Sequence, residues 1–177
     1  MKRKLLTLGV ALIFTLSATL SAFAAANPAK IITRNWTNFR GNQSHNAVVS
    51  DKLPTSAENA ALYWATKAGE GYGDGAIGSP ILVDGYLYFN QGKKIKKMDA
   101  MSGKVVATGK MVERSNFSII PPTYGDGKIF VGLANGRIQA FDAKTLKSLW
   151  VYQDKLKGQP NSPITYYKGY VNTGFWN

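Results

Sequence analysis

The chain has 177 residues, of which 45% are hydrophobic and 18% charged, a balance that excludes a disordered polymer and allows one ordinary domain or slightly more. It holds no cysteine, which excludes a disulfide framework, thiolate metal sites and a lipid-modified cysteine. The formal charge of +12 would suit nucleic acid or an anionic wall polymer, but its only lysine cluster, Lys93, Lys94, Lys96 and Lys97, flanks a hairpin turn. Lysines there blunt a strand edge, so the charge reads as a solubilising surface and no nucleic-acid partner is expected.

Residues 1–26 read as a secretory signal peptide of bacterial style. Lys2-Arg3-Lys4 is the basic start, Leu5 to Leu20 the apolar core, and Ala22-Phe23-Ala24 or Ala24-Ala25-Ala26 offers small residues at the cleavage positions. A retained membrane anchor is the rival, disfavoured because the apolar run is interrupted and small residues follow at once. No later segment is long and apolar enough to span a bilayer, and a secreted or cell-envelope location is expected. Residues 27–60 form a leader. In it Trp36 and Phe39, followed by Arg40-Gly41, suggest a docking segment, and Asp51 to Ala61 has the chain's one helical leaning. Ala61 to Lys67, through Tyr63 and Trp64, reads as the closing strand of a blade. Gly73 to Gly78 fits G-x-G-x-x-G, but Ser79-Pro80 and a strand follow where a dinucleotide fold needs a helix, so that reading is rejected.

Residues 61–177 carry a repeat. Pro121 to Trp150 reads as a short strand, a turn at Asp126-Gly127, a strand Lys128 to Leu133, and a turn at Asn135-Gly136. A strand Arg137 to Asp142, a polar turn and a last strand ending at Trp150 complete it. Gly78 to Ala107 has the same order of parts, with Gly85/Gly127, Ile95/Ile138, Asp99/Asp142 and Ala100/Ala143 aligned. Trp64, Ala107 and Trp150 fall 43 residues apart. A fixed period of this size with strands inside it predicts an all-β chain, a β-propeller of four-stranded antiparallel blades. Tyr86 to Phe89 and Ile129 to Leu133 are nearly continuous apolar runs, which predicts sheets covered on both faces. A third unit opens at Asn161 to Ile164, turns at Lys168-Gly169 and stops at Phe175-Trp176. About two full blades plus parts are therefore present, and the remainder of a longer polypeptide is expected to close the ring. A small chain that assembles with other copies is the alternative.

Several of these segments resemble the pyrroloquinoline-quinone-type (PQQ) propeller repeat. Gly78-Ser79-Pro80, Asp84-Gly85 and Tyr86-Leu87-Tyr88 are similar to its opening, and Met98 to Lys104 and Phe141 to Lys147 to its second half. Trp36, Phe39, Arg40 and Gly41 resemble the W-x-x-F-R-G leader of secreted members. The resemblance implies that a closing tryptophan docks between blades against a Gly-Lys turn of a neighbour. Trp64 and Trp150 are placed for this, with Asp99 and Asp142 in the repeat motif. A buried Trp150 would be worth about 3–5 kcal/mol. Ala107 departs from the pattern in place of tryptophan, as does Leu146 in place of glycine. Dehydrogenases of the superfamily use a quinone, usually with Ca²⁺ nearby, held by convergent Glu, Asn and Asp with a flat Trp. The ten acidic residues here are scattered, and no cofactor is expected; PQQ and Ca²⁺ belong to the alternative.

No catalytic or metal-binding residue is assigned. His45, the only histidine, sits in a polar loop without triad partners or metal-ligand spacing, and Glu58 with Glu70 has no support as an acid/base pair. Loops leading into the innermost strands crowd a propeller's channel mouth, so Tyr72, Asp74, Arg114, Asn116, Phe117 and Asn161 are the candidate ligand face. The expected function is an exported, non-catalytic propeller that binds a protein or wall-polymer partner. A PQQ-dependent quinoprotein dehydrogenase is the alternative, and an envelope assembly scaffold like the outer-membrane barrel-assembly propeller is the second.

Overall fold

A computed structural model describes residues 35–48, 55–60, 62–67, 69, 74, 78–115 and 120–176. The expected signal peptide and the candidate residues Tyr72, Asn116 and Phe117 lie outside them. Two four-stranded antiparallel sheets dominate the described residues. The first blade is β1 (Ile81–Val83), β2 (Tyr86–Gln91), β3 (Lys94–Asp99) and β4 (Val105–Lys110); the second is β5 (Thr123–Gly125), β6 (Lys128–Leu133), β7 (Arg137–Asp142) and β8 (Ser148–Gln153). In both, the strands follow chain order across the sheet, as in a propeller blade. Asp84-Gly85 and Asp126-Gly127 turn β1 into β2 and β5 into β6. Both residues of each pair have positive φ, between 48° and 80°, the geometry whose twist matches a two-residue hairpin.

The second blade's last strand runs on past Trp150 to Gln153, not to the end read from the sequence. Gln153 explains the extension. It pairs with Arg137 along the ladder, accepts a bond from Arg137 Nε at 2.8 Å, and donates to the Asn135 carbonyl at 2.6 Å. The larger correction concerns residues 62–67, which form no strand. A closing strand needs a third strand to pair with. Among the described residues no sheet precedes it, so aromatic composition alone does not extend the backbone. The helical leaning is realised as a single 3-10 turn, Ala57–Asn59.

The apolar runs are buried on both faces, as continuous runs require. Ile129, Val131, Leu133 and Phe141 join Ile81, Val83, Tyr88, Ile95 and Met111 in one core between the first and second blades. Phe130, Ile138 and Ala140, pointing the other way, join Ile164, with Tyr166, Val171 and Phe175 packed against them. Alternate residues of one blade thus serve two different neighbours. The third unit supplies β9 (Gln159–Pro160), β10 (Thr165–Tyr167), β11 (Tyr170–Asn172) and β12 (Phe175–Trp176). In it β10 pairs with β11, and β12 with β9. Among the described residues no helix is long and apolar enough to cross a membrane.

Candidate functional site

At one end of the blades lie the turns of the repeat motif. Asp99 Oδ1 accepts from the backbone N–H of Met101 and Ser102 and from the Ser102 hydroxyl, at 2.7–3.1 Å. Asp142 Oδ1 repeats this with the N–H and hydroxyl of Thr145 at 2.7 and 2.6 Å. The hydroxyl bond first, then the backbone bonds, hold both carboxyls below the usual aspartate range. Both aspartates fold their own turns, and neither reaches a neighbouring blade through these bonds.

The two turns meet different partners. Trp64 lies over Gly103, where an added Cβ would come within 2.7 Å of the indole. Its Nε1 donates to the Ala100 carbonyl at 2.9 Å. At the equivalent place in the second blade, Leu146 is buried to 2% exposure, with its Cβ and carbonyl close over Gly109 of β4. Half-buried Ala107 packs against the same core. Tyr88 and Lys97 tie this interface down. The Tyr88 hydroxyl donates to the Ala143 carbonyl at 2.8 Å, and burial first, then the Asp84 charge, push its pKa up to about 12. Lys97 Nζ lies 4.2 Å from the Tyr86 ring centre and donates to the Lys144 carbonyl; burial lowers its pKa. Trp150 is 40% exposed, tilted against Phe130 at 5.8 Å, and lines an open groove with Ile138, Tyr152, Val171 and Phe175. The burial on which its expected 3–5 kcal/mol rests is not met in this structure.

The opposite end carries the loops expected at a channel mouth. Asp74 lies at the β2–β3 hairpin, receiving a bond from Gln91 Nε2 at 3.3 Å. Arg114 lies next along the rim: its carbonyl accepts from Ala134 N–H at 2.9 Å, and its own N–H donates to Glu113 Oε1 at 3.0 Å. That backbone bond, and then Lys93 at 3.1 Å, lower the Glu113 pKa. Asp74 and Arg114 are thus brought to neighbouring hairpins of one rim. Asn161 is exposed ahead of β10.

The sequence reading takes the leader for a docking segment but does not say what it docks against. Trp36 exchanges backbone bonds with Leu82 at 2.7 and 2.9 Å, and the Thr37 carbonyl accepts from Tyr124 N–H at 2.8 Å. Gln43 Nε2 reaches the Tyr166 carbonyl at 2.8 Å. Residues 35–43 therefore strap the inner edges of β1, β5 and β10, and turn at Asn38 to Gly41 beside Ser79-Pro80 and Pro121. The W-x-x-F-R-G pattern was the available signal, but it marks a family and does not say what its residues touch. His45 is half-buried, its ring edge-on to Phe39 at 6.1 Å.

Comparison with known proteins follows the same lines. A family of PQQ-type repeats, described as outer membrane protein assembly factor BamB, matches residues 53–174. The dehydrogenase subunit of the quinone alcohol dehydrogenase of Gluconobacter oxydans is 32% identical over 85 residues, covering 43% of this chain and 11% of that relative. Its counterpart in Gluconacetobacter polyoxogenes is 29% identical over 85 residues, with 43% and 12% covered. Among solved structures, a europium-containing methanol dehydrogenase superposes with a TM-score of 0.61 at 20% identity, covering 78% of this chain and 27% of that one. The quinohemoprotein alcohol dehydrogenase of Comamonas testosteroni gives 0.60 at 21% identity, with 78% and 23% covered. At such identities the superpositions show the propeller fold alone. The chain spans roughly a tenth of the length of the curated relatives it matches.

Proposed function

Because this chain belongs to the family of PQQ-type propeller repeats described as outer membrane protein assembly factor BamB, we propose that it is part of an exported, non-catalytic propeller that binds a partner in the cell envelope. The observation that carries this reading is the extent of the match, residues 53–174, which takes in both full blades and most of the third unit. An assembly scaffold is the form of the role that the family's description favours. A propeller suits it, because its rim gathers loops from successive blades into one surface. The test is sedimentation of the full-length protein with cell-envelope fragments. Saturable binding that is lost when the fragments are first treated with protease supports a protein partner. Binding that survives the treatment points to a wall polymer, and no binding to either overturns the reading.

A second reading, a quinone-dependent dehydrogenase, is favoured by the 32% identity with the alcohol dehydrogenase subunit. PQQ with Ca²⁺ would then supply the oxidising chemistry. Among the described residues no three His, Cys, Asp or Glu side chains gather as a metal site. Dye reduction by the full-length protein that needs added quinone and is abolished by chelating Ca²⁺ would establish this reading in place of the first.

A further inference from the structure

At the mouth end of the blades the basic side chains form a belt. Lys94 of β3 and Lys110 of β4 stand directly opposite each other in the ladder, both exposed. Like charges so placed, about 5 Å apart at their Cβ atoms, destabilise a sheet. Exposed Lys93 lies beside them, its carbonyl accepting from Met111 N–H at 2.9 Å. The Arg114 carbonyl, bonded to Ala134 N–H, joins this end of the first blade to the β6–β7 hairpin of the second, where Arg137 opens β7. The turn from Asp154 to Gly158 folds onto that hairpin. Asp154 N–H donates to the Gly136 carbonyl at 2.7 Å, the Lys157 backbone lies against Gly136, and Lys155 and Lys157 are exposed. The described carboxylates of this end are already engaged. Glu113 accepts from Arg114 N–H and Lys93, Asp154 from the N–H groups of Leu156 and Gly158, and Asp74 from Gln91. Lys94, Lys110, Lys155 and Lys157 form no ion pair with a described residue. At the other end Asp84, Asp99, Asp126 and Asp142 stand among the lysines, and Lys128 pairs with Asp126 at 2.7 Å.

We propose that this belt binds a linear polyanion of the cell envelope, a polymer with a phosphate or carboxylate on each repeat. The proposal rests on the envelope-binding reading and names the chemistry of the partner. Lysine carries a compact charge on a flexible stem, which neutralises a repeating anion without fixing its orientation. It is depleted at protein–protein interfaces, where Trp, Tyr and Arg carry most of the binding energy. The belt has no aromatic side chain, and its one arginine, Arg137, is held by Gln153 at 2.8 Å. That composition favours a flexible polymer over a folded protein. The belt crosses two blades, whose sheets lie about 10 Å apart, so it meets more than one repeat of such a chain. An anion between Lys94 and Lys110 also relieves the repulsion that their register creates.

Titration of the full-length protein into labelled long-chain polyphosphate, followed by fluorescence anisotropy at stepped salt, tests this. Binding is expected, with log affinity falling linearly against log salt at a slope of about 0.7 for each cation that meets the chain. Lys94→Gln, Lys110→Gln, Lys155→Gln and Lys157→Gln combined are expected to weaken binding at least about tenfold at low salt and to reduce the slope by about 3. Lys104→Gln, Lys144→Gln, Lys147→Gln and Lys168→Gln remove the same charge from the other end, and are expected to leave affinity and slope nearly unchanged. All of these side chains are exposed, so neither set disturbs the core. Polygalacturonate in place of polyphosphate separates the two sources, and the polymer bound more tightly identifies the anionic group. Failure to bind either polymer overturns the proposal, as does equal weakening by the two sets of substitutions or an affinity independent of salt. Should both polymers fail while sedimentation with envelope fragments still shows saturable binding, the belt assignment alone falls and the envelope-binding reading stands.

Discussion

At Gly103 a large side chain from outside the blade covers a turn that has none. At Leu146, the equivalent position 43 residues on, the turn itself supplies the large side chain, and the strand that faces it offers Ala107 and Gly109. The first arrangement needs glycine, because Trp64 leaves no room for a Cβ. The second puts a leucine at φ 56°, which costs on the order of 1–2 kcal/mol. Burying that side chain contributes about 1.5–3 kcal/mol, so the two terms roughly offset, with burial the larger at the middle of the ranges. The comparison teaches that a blade interface asks for a filled volume and a fixed turn, and that the bulk can come from either side.

The largest expected effect is at the second arrangement. Leu146→Ala empties the core while keeping the strained φ, and is expected to cost about 3 kcal/mol in denaturant unfolding; a loss below about 1 kcal/mol would break the account of that interface. Next comes alkaline pH, which separates the two interfaces because only the second has the Tyr88 bond. The folded-state pKa of Tyr88 is raised to about 12 from an unfolded value near 10. Its contribution is therefore complete below pH about 10 and is lost as pH rises through about 12, on the order of 2 kcal/mol. Tyr88→Phe is expected to flatten that part of the pH–stability curve, while Trp64→Ala leaves its slope unchanged.

Gly103→Ala is expected to cost about 2 kcal/mol, part from the positive φ and part from the indole. With Trp64→Ala already present, only about 1 kcal/mol of backbone cost should remain. The exchange Ala107→Trp with Leu146→Gly rebuilds the first arrangement at the second interface. Each single change is expected to destabilise, and the pair to recover about 1 kcal/mol beyond additivity; strict additivity would mean that the two positions do not share one space. The smallest effect is at Trp150, where Trp150→Ala is expected to cost about 1 kcal/mol or less, chiefly its contact with Phe130.

The repeat itself was legible because it is local. Strand, turn and strand follow within a few residues, and Asp84-Gly85, Asn135-Gly136 and the apolar runs each act through nearest neighbours. The departures at Ala107 and Leu146 were legible too, but not that each answers the other. That depends on two sheets facing, which no spacing displays. Residues 62–67 misled for a related reason: their composition suits a strand, and a strand exists only where a ladder is offered. At the mouth, Asp74 and Arg114 could be named from topology. The leader's bonds to Leu82, Tyr124 and Tyr166 could not, since they join positions far apart in the chain.

The strap formed by residues 35–43 also constrains the order of folding. Its bonds reach Leu82, Tyr124 and Tyr166, the last across 123 residues of chain. A segment that precedes the strands it holds is therefore secured after them, once three separate sheets have settled around it. The backbone N–H groups of Trp36 and of its partner Leu82 should accordingly be late to gain protection in pulse-labelled hydrogen exchange, well after those along β6 and β7.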